Sequence, residues 1–300
     1  MQQRSSSRKA SAARFSIFSN TVLTLAKLGV GLWTGSVAIL SEAVHSATDL
    51  IAAMIAFFAV RASEVPPDAE HPYGHGKMES LSGVVEAMLI IAAGVYIVIE
   101  SVQELRHHEP TQALGWGIAV MLLSAIANFL ISRYLFKVAH ETDSIALEAD
   151  AHHLQIDVWT SLGVLVGLVL VRITGINWID PVVALIVSVF ILRTGGTILM
   201  QATRPLLDER LPDEEIRRVE GIMTQNPEVL GWHKLRTRKA GSHRHIDVHI
   251  QVDDDLTLRE AHRLTENLED EIRDALPNVH VVIHTEPYEE ERRHHEENPH

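Results

Sequence analysis

The sequence predicts an α-helical membrane protein of six transmembrane helices followed by a small α/β cytoplasmic domain, αββαβ in order and ferredoxin-like. Three observations predict it. From Phe15 to Arg204 the chain is dominated by apolar stretches, each near the ~20 residues a spanning helix needs. Turn chemistry separates these stretches, at Thr34-Gly35-Ser36, Pro66-Pro67, Glu109-Pro110 and from Gly175 to Pro181. After Pro205 the pattern becomes charged and alternating, as in a small sheet covered by helices.

In chain order, residues 1–14 read as a cytoplasmic tail, Ser- and Arg-rich and too polar for a signal-peptide core. The six spans, within residues 15–204, are Phe15–Gly35, Val37–Val60, Ser80–Leu105, Ala113–Lys137, Ala146–Thr174 and Pro181–Arg204. Basic residues cluster at one set of ends: Arg4, Arg8, Lys9, Arg14, Arg61, Lys77, Lys137 and Arg204, against Arg106 alone on the other side. That asymmetry places both termini in the cytoplasm. Residues 205–288 form the soluble domain, with helices over Pro212–Gln225 and Thr257–Leu276 and strands over Leu230–Arg238, His243–Val252 and Val279–Glu286. Thr257 and Glu260 have capping-box spacing. Residues 289–300 are a His- and Glu-rich tail expected to be disordered.

Composition narrows the chemistry. There are no cysteines, which excludes disulfides and thiolate metal sites. Of the formal charge of −13, −10 follows Pro205, where 13 Lys and Arg face 23 Asp and Glu. Such a domain repels phosphate backbones and attracts cations, so nucleic acid is not an expected partner.

The spans are not uniformly apolar. Asn20, Lys27, His45, Asp49, Glu86, Asn128, Asp150, His152, His153, Asp157 and Arg193 all fall within them, and ionisable residues at membrane depth face a cavity or a partner. Lys27 and Arg193 are expected to snorkel or to pair with acids, Glu86 among them. Two pairs stand out: His45 with Asp49 in the second span and His153 with Asp157 in the fifth. Each is an i,i+4 pair, so both side chains share one helix face. His152 points about 100° away from His153 and is left out.

Two facing pairs would offer two imidazoles and two carboxylates, a set suited to tetrahedral Zn²⁺, and the carboxylates neutralise the dication in a low-dielectric region. Metal needs deprotonated ligands, so metal and protons compete for the site, the physical basis of proton-for-metal exchange. The bland alternative is a pair of hydrogen-bonded helix contacts; finding the pair twice favours a site.

These residues resemble a known family, the cation diffusion facilitators. The likeness runs from Ser41-Glu42-Ala43-Val44-His45-Ser46 to Asp49, through His71-Pro72-Tyr73-Gly74-His75-Gly76-Lys77-Met78-Glu79, to His153 and Asp157. It implies a homodimer in a bacterial inner membrane that exports a divalent cation in exchange for protons by alternating access. His45, Asp49, His153 and Asp157 fall on the family's transport site. Histidine at position 45, where many bacterial members have Asp, resembles the zinc-oriented members, and a second imidazole favours Zn²⁺ over Mn²⁺ or Mg²⁺. Cd²⁺, Co²⁺ and Fe²⁺ remain open.

The resemblance also implies a loop metal site at Asp68, His71 and His75, and an ion pair between Lys77 and Asp208 joining the two halves. In the soluble domain it implies ligands at His233, His249, His262, His284 and Glu286, with Glu where members often carry Asp. Two other readings stand beside the exporter. A membrane-anchored metal sensor or scaffold would have no need of ligands at membrane depth. A membrane metalloenzyme would need an open coordination position, and no metalloprotease-like motif is present.

Overall fold

A computed structural model describes residues 2–34, 37–107, 115–176 and 178–289. The chain divides into two compact units, one ending at Thr203 and the other beginning at Arg204. The tail over 290–300 lies outside the described residues.

The first unit holds six long helices: α1 (Gln2–Thr34), α2 (Val37–Ser63), α3 (Lys77–His107), α4 (Gly115–Thr142), α5 (Ile145–Thr174) and α6 (Ile179–Thr203). Among the described residues, five stretches are long and apolar enough to cross a membrane, lying in α1 to α4 and in α6 with its extension to Leu207. Six were expected. The sixth expected span, α5, is not among these five.

The N-terminal segment also departs from expectation. Helix α1 begins at Gln2, ahead of the span expected from Phe15, so residues 2–14 are helical. Nothing in this Ser-, Arg- and Ala-containing run breaks a helix, and Lys9, Ala12 and Ala13 are buried against the bundle.

The helices pair as α1 with α2, α3 with α6 and α4 with α5, and α5 also touches α2, α3 and α6. The α3–α6 seam is tight because small residues sit in it. A Cβ on Gly195 would lie 2.8 Å from Ile91 Cγ1 and 2.9 Å from Ile90 Cγ2. In a membrane interior such close backbone approach supplies the packing that the hydrophobic effect does not.

The second unit begins with a single 3₁₀ turn, Arg204–Leu207, followed by α7 (Asp213–Gln225), β1 (Gly231–Ala240), β2 (His243–Val252), α8 (Leu258–Ala275) and β3 (Val279–Pro287). Strand β2 is central, antiparallel to β1 and parallel to β3. Parallel neighbours need a crossover, and α8 supplies it. Alternation along β2 sends Ile246, Val248, Ile250 and Val252 into a core with Val219 and Met223 of α7 and Leu264, Leu268 and Ile272 of α8. Thr257 and Glu260 close the capping box of α8. Because both helices cover that one sheet face, the polar face of β2 and β3 is left to the histidines.

Candidate metal centres

The turns of α2 and α5 bring both intramembrane pairs together. His153 Nε2 lies 3.3 Å from Asp49 Oδ1, and His45 Nε2 lies 3.6 Å from Asp157 Oδ1 and 4.0 Å from Asp49 Oδ1. One ligand atom from each of His45, Asp49 and Asp157 falls within a 4.8 Å span, and His153 joins through Asp49. The burial is graded: the Asp49 side chain is 5% exposed and that of His45 50% exposed. The set therefore has a closed interior end and an open imidazole. Asn128 of α4 adds a long contact, Nδ2 to Asp157 Oδ2 at 3.5 Å. The ring of His152 packs edge-on to Phe136, away from the pairs.

Lys27 and Arg193 do not neutralise Glu86. Lys27 is buried and donates to Ser46 Oγ at 2.7 Å, while Arg193 is exposed.

The loop between α2 and α3 gathers Asp68, His71 and His75. Asp68 Oδ1 accepts the backbone N–H groups of His71 at 2.6 Å and Glu70 at 3.0 Å. Asp68 Oδ2 lies 3.4 Å from His75 Nε2, and Oδ1 lies 3.2 Å from His71 Nδ1. The chain turns back through Gly74 at φ 80°, a conformation in which a side chain is disfavoured. The His71 backbone hydrogen bond, with smaller help from Glu70 and the His71 ring, holds the Asp68 carboxyl below its ordinary range. An ionised carboxylate flanked by two imidazoles, with one ligand atom from each within 4.8 Å of the others, is a donor set that could hold a cation.

In the soluble unit, strand register assembles the third cluster. His233 of β1 stands opposite His249 of β2, which stands opposite His284 of β3. Glu286 reaches across them, with Oε2 2.7 Å from His233 Nε2 and Oε1 2.6 Å from His249 Nδ1. His284 Nε2 is 3.7 Å from Glu286 Oε1. Burial pushes the Glu286 carboxyl up, but its contacts with His249 and His233 together outweigh that and leave it below its ordinary range.

The structure does not bring His262 to this cluster. It lies on α8, in the other layer, exposed, with Nε2 3.5 Å from Glu266 Oε1 of its own helix. Asp208 lies in the soluble unit with Oδ1 3.3 Å from Arg238 Nη1.

One functional-looking group escaped the sequence. Lys9 Nζ pairs with Glu79 Oε1 at 2.8 Å, both almost completely buried. Glu79 also accepts the hydroxyls of Ser63 at 3.0 Å and Ser144 at 2.6 Å. Partners 70 residues apart leave no periodic trace, and the polar N-terminus hid Lys9.

Comparison with known proteins sets these sites in a family. Residues 13–207 match the cation efflux transmembrane domain, and residues 211–288 match the cation efflux protein cytoplasmic domain. The chain belongs to the cation diffusion facilitator family. It is 35% identical over 265 residues to sll1263 of Synechocystis, an uncharacterized transporter, covering 88% of this chain and 86% of that one. To the cation-efflux pump FieF of Klebsiella pneumoniae it is 34% identical over 272 residues, covering 89% of each. A solved metal-bound C-terminal domain of the CzcD transporter from Thermotoga maritima is 27% identical, covering 25% of this chain and 87% of that one with a TM-score of 0.24. As a cation diffusion facilitator, the chain is a multi-pass membrane transporter of divalent metal cations and not an enzyme.

Proposed function

We propose that this cation diffusion facilitator exports zinc from the cytoplasm in exchange for protons by alternating access. It works as a homodimer in a bacterial inner membrane, with both termini cytoplasmic and α5 as the sixth span. The observation that carries the reading is the convergence of the two His-x-x-x-Asp pairs, His153 on Asp49 at 3.3 Å and His45 on Asp157 at 3.6 Å. Two imidazoles and two carboxylates make a four-donor shell of the kind tetrahedral Zn²⁺ takes, and an imidazole-rich shell weighs against Mg²⁺ and Mn²⁺. Cd²⁺, Co²⁺ and Fe²⁺ are the competitors to test. Metal binding displaces protons from the same atoms, and that competition couples the two fluxes.

Membrane crossing by α5 follows from its role: ionisable residues at membrane depth are stable where they face the bundle interior, and α5 touches all five other helices of the first unit. Export direction and dimerisation follow from the family likeness. The loop cluster and the His233, His249, His284 and Glu286 cluster then serve as accessory metal sites facing the cytoplasm. Within one chain His262 lies on the opposite layer of the soluble unit, so any ligand role falls to a second copy's site. Lys77 and Asp208 are proposed to couple the two units, where partial burial would have to lift the pair above the small worth of a surface ion pair.

The test uses proteoliposomes with the cytoplasmic face outward and an acidic lumen. Zn²⁺ entry should collapse when the pH gradient is dissipated, and Asp157→Ala should reduce it to the level of empty liposomes. Cd²⁺, Mn²⁺ and Fe²⁺ assayed in parallel rank the selectivity. Zinc entry indifferent to Asp157 would remove the site assignment, and entry indifferent to the gradient would remove proton exchange.

A further inference from the structure

Glu86 is used by neither the metal shell nor the Lys9–Glu79 pair, yet it is fully buried in α3. Ser82 Oγ, one turn earlier, donates to its Oε1 at 3.2 Å, and its Oε2 has no hydrogen-bond partner. The helices packed against α3 are α2, α5 and α6. From α5, Asp150 acts on Glu86 electrostatically; it is buried too, and its own favourable partners are Ser16 of α1 and His153. From α2, His45 and Asp49 are engaged with the metal pair of α5, and Arg61 is exposed. From α6, Arg193 is exposed. Among the described residues, then, the charge acting on Glu86 is another carboxylate.

An ionised Glu86 in this water-excluded interior loses its hydration and is repelled by the Asp150 carboxylate, and no cation acts on Glu86 to offset either cost. Holding a proton removes both costs. Ionisable residues buried in a membrane bundle mark ion pathways and proton relays. The placement ties this one to transport, because Asp150 precedes His153 by one turn of the helix that carries half of the metal shell. A movement of α5 that opens the shell to the other side changes what Glu86 faces. In exchange for exported metal the proton must enter from the outer side and leave to the cytoplasm, and admitting cytoplasmic water there favours its release.

We propose that Glu86 is a second proton carrier of the transport cycle, outside the metal-ligand shell, holding a proton when α3, α5 and α6 are packed as here and releasing it to water when they part. The proposal rests on the proton-exchange reading above. It adds a proton that no metal-coordinating atom carries.

The experiment measures proton and zinc fluxes together in the same proteoliposomes, with a pH dye and a zinc indicator, for the wild type and Glu86→Gln. Glutamine keeps the shape and the acceptor for Ser82 but cannot carry a proton. The expected result is zinc entry that continues, with equilibrium zinc binding unchanged and the proton count per zinc lower by about one. Wild-type zinc flux without any proton flux would end the exchange reading itself. Coupled wild-type flux with the same proton count in Glu86→Gln would overturn the Glu86 proposal and leave exchange standing. Should the variant fail to assemble, infrared spectra of the wild type decide. A protonated-carboxyl stretch at neutral pH that moves on ¹³C-glutamate labelling is expected, and its absence overturns the proposal.

Discussion

The buried Lys9–Glu79 pair shows how much one residue can carry. Glu79 takes an ammonium from α1, a hydroxyl from the end of α2 and a hydroxyl from the α4–α5 turn, so four segments meet on one carboxylate. Removing one partner of a buried pair strands the other charge, which typically costs about 3–5 kcal/mol, whereas replacing both with apolar groups is far cheaper. Glu79→Leu alone should therefore destabilise the detergent-solubilised protein strongly, and Lys9→Met with Glu79→Leu should cost less than that single variant. Thermal unfolding of the two singles and the double closes the cycle. A double variant whose cost is the sum of the singles would show that the charges do not answer each other. The sequence could not display this: Glu79 appeared as one letter of a motif, and Lys9 as one of several basic residues near an end. His45 and Asp49 were legible because four-residue spacing is a statement about a single helix face.

At the scale of elements, apolar length and turn residues placed the helices of the first unit, and alternation placed β2 at His243–Val252 to the residue. What apolar length did not show was where the first helix starts, since residues 2–14 extend α1 ahead of Phe15. Hydrophobicity measures what a segment buries in lipid; a helix that packs small residues such as Ala12 and Ala13 against protein escapes it. Helix pairing was equally illegible, because the α3–α6 seam depends on glycines whose neighbours appear only in three dimensions. Gly195→Ala would force its Cβ to 2.8 Å from Ile91 and 2.9 Å from Ile90, and overpacking of that kind costs typically ~1–3 kcal/mol. A Cβ on the adjacent Gly196 meets nothing within 4 Å. Gly195→Ala should lower the unfolding temperature in detergent while Gly196→Ala leaves it unchanged. Equal behaviour of the two would mean that α3 and α6 do not pack in this register.

The whole molecule carries proposed metal ligands in two units, and the proposed transport shell and the soluble cluster share no residue. Their effects should separate. A ligand at a hundred times its Kd stabilises the state it binds by ~2.7 kcal/mol, so zinc should slow amide exchange in β1, β2 and β3 of the wild type. Asp157→Ala, which removes a transport ligand, should keep that protection while losing zinc flux. Glu286→Gln should lose most of the protection, since the Glu286 carboxylate reaches His233, His249 and His284. The pH dependence of the metal-free protein gives a second check. The folded-state carboxyl of Glu286 is held below its ordinary value of 4.5, so it binds fewer protons than the unfolded chain across that range. Its contribution to stability is then complete above the ordinary value and disappears as pH falls through the lowered one. The difference in melting between wild type and Glu286→Gln should be present at neutral pH and vanish in strong acid. Zinc protection that survives Glu286→Gln would place the stabilising metal elsewhere, at the Asp68, His71 and His75 loop first, because that clip offers a separate set of three donors.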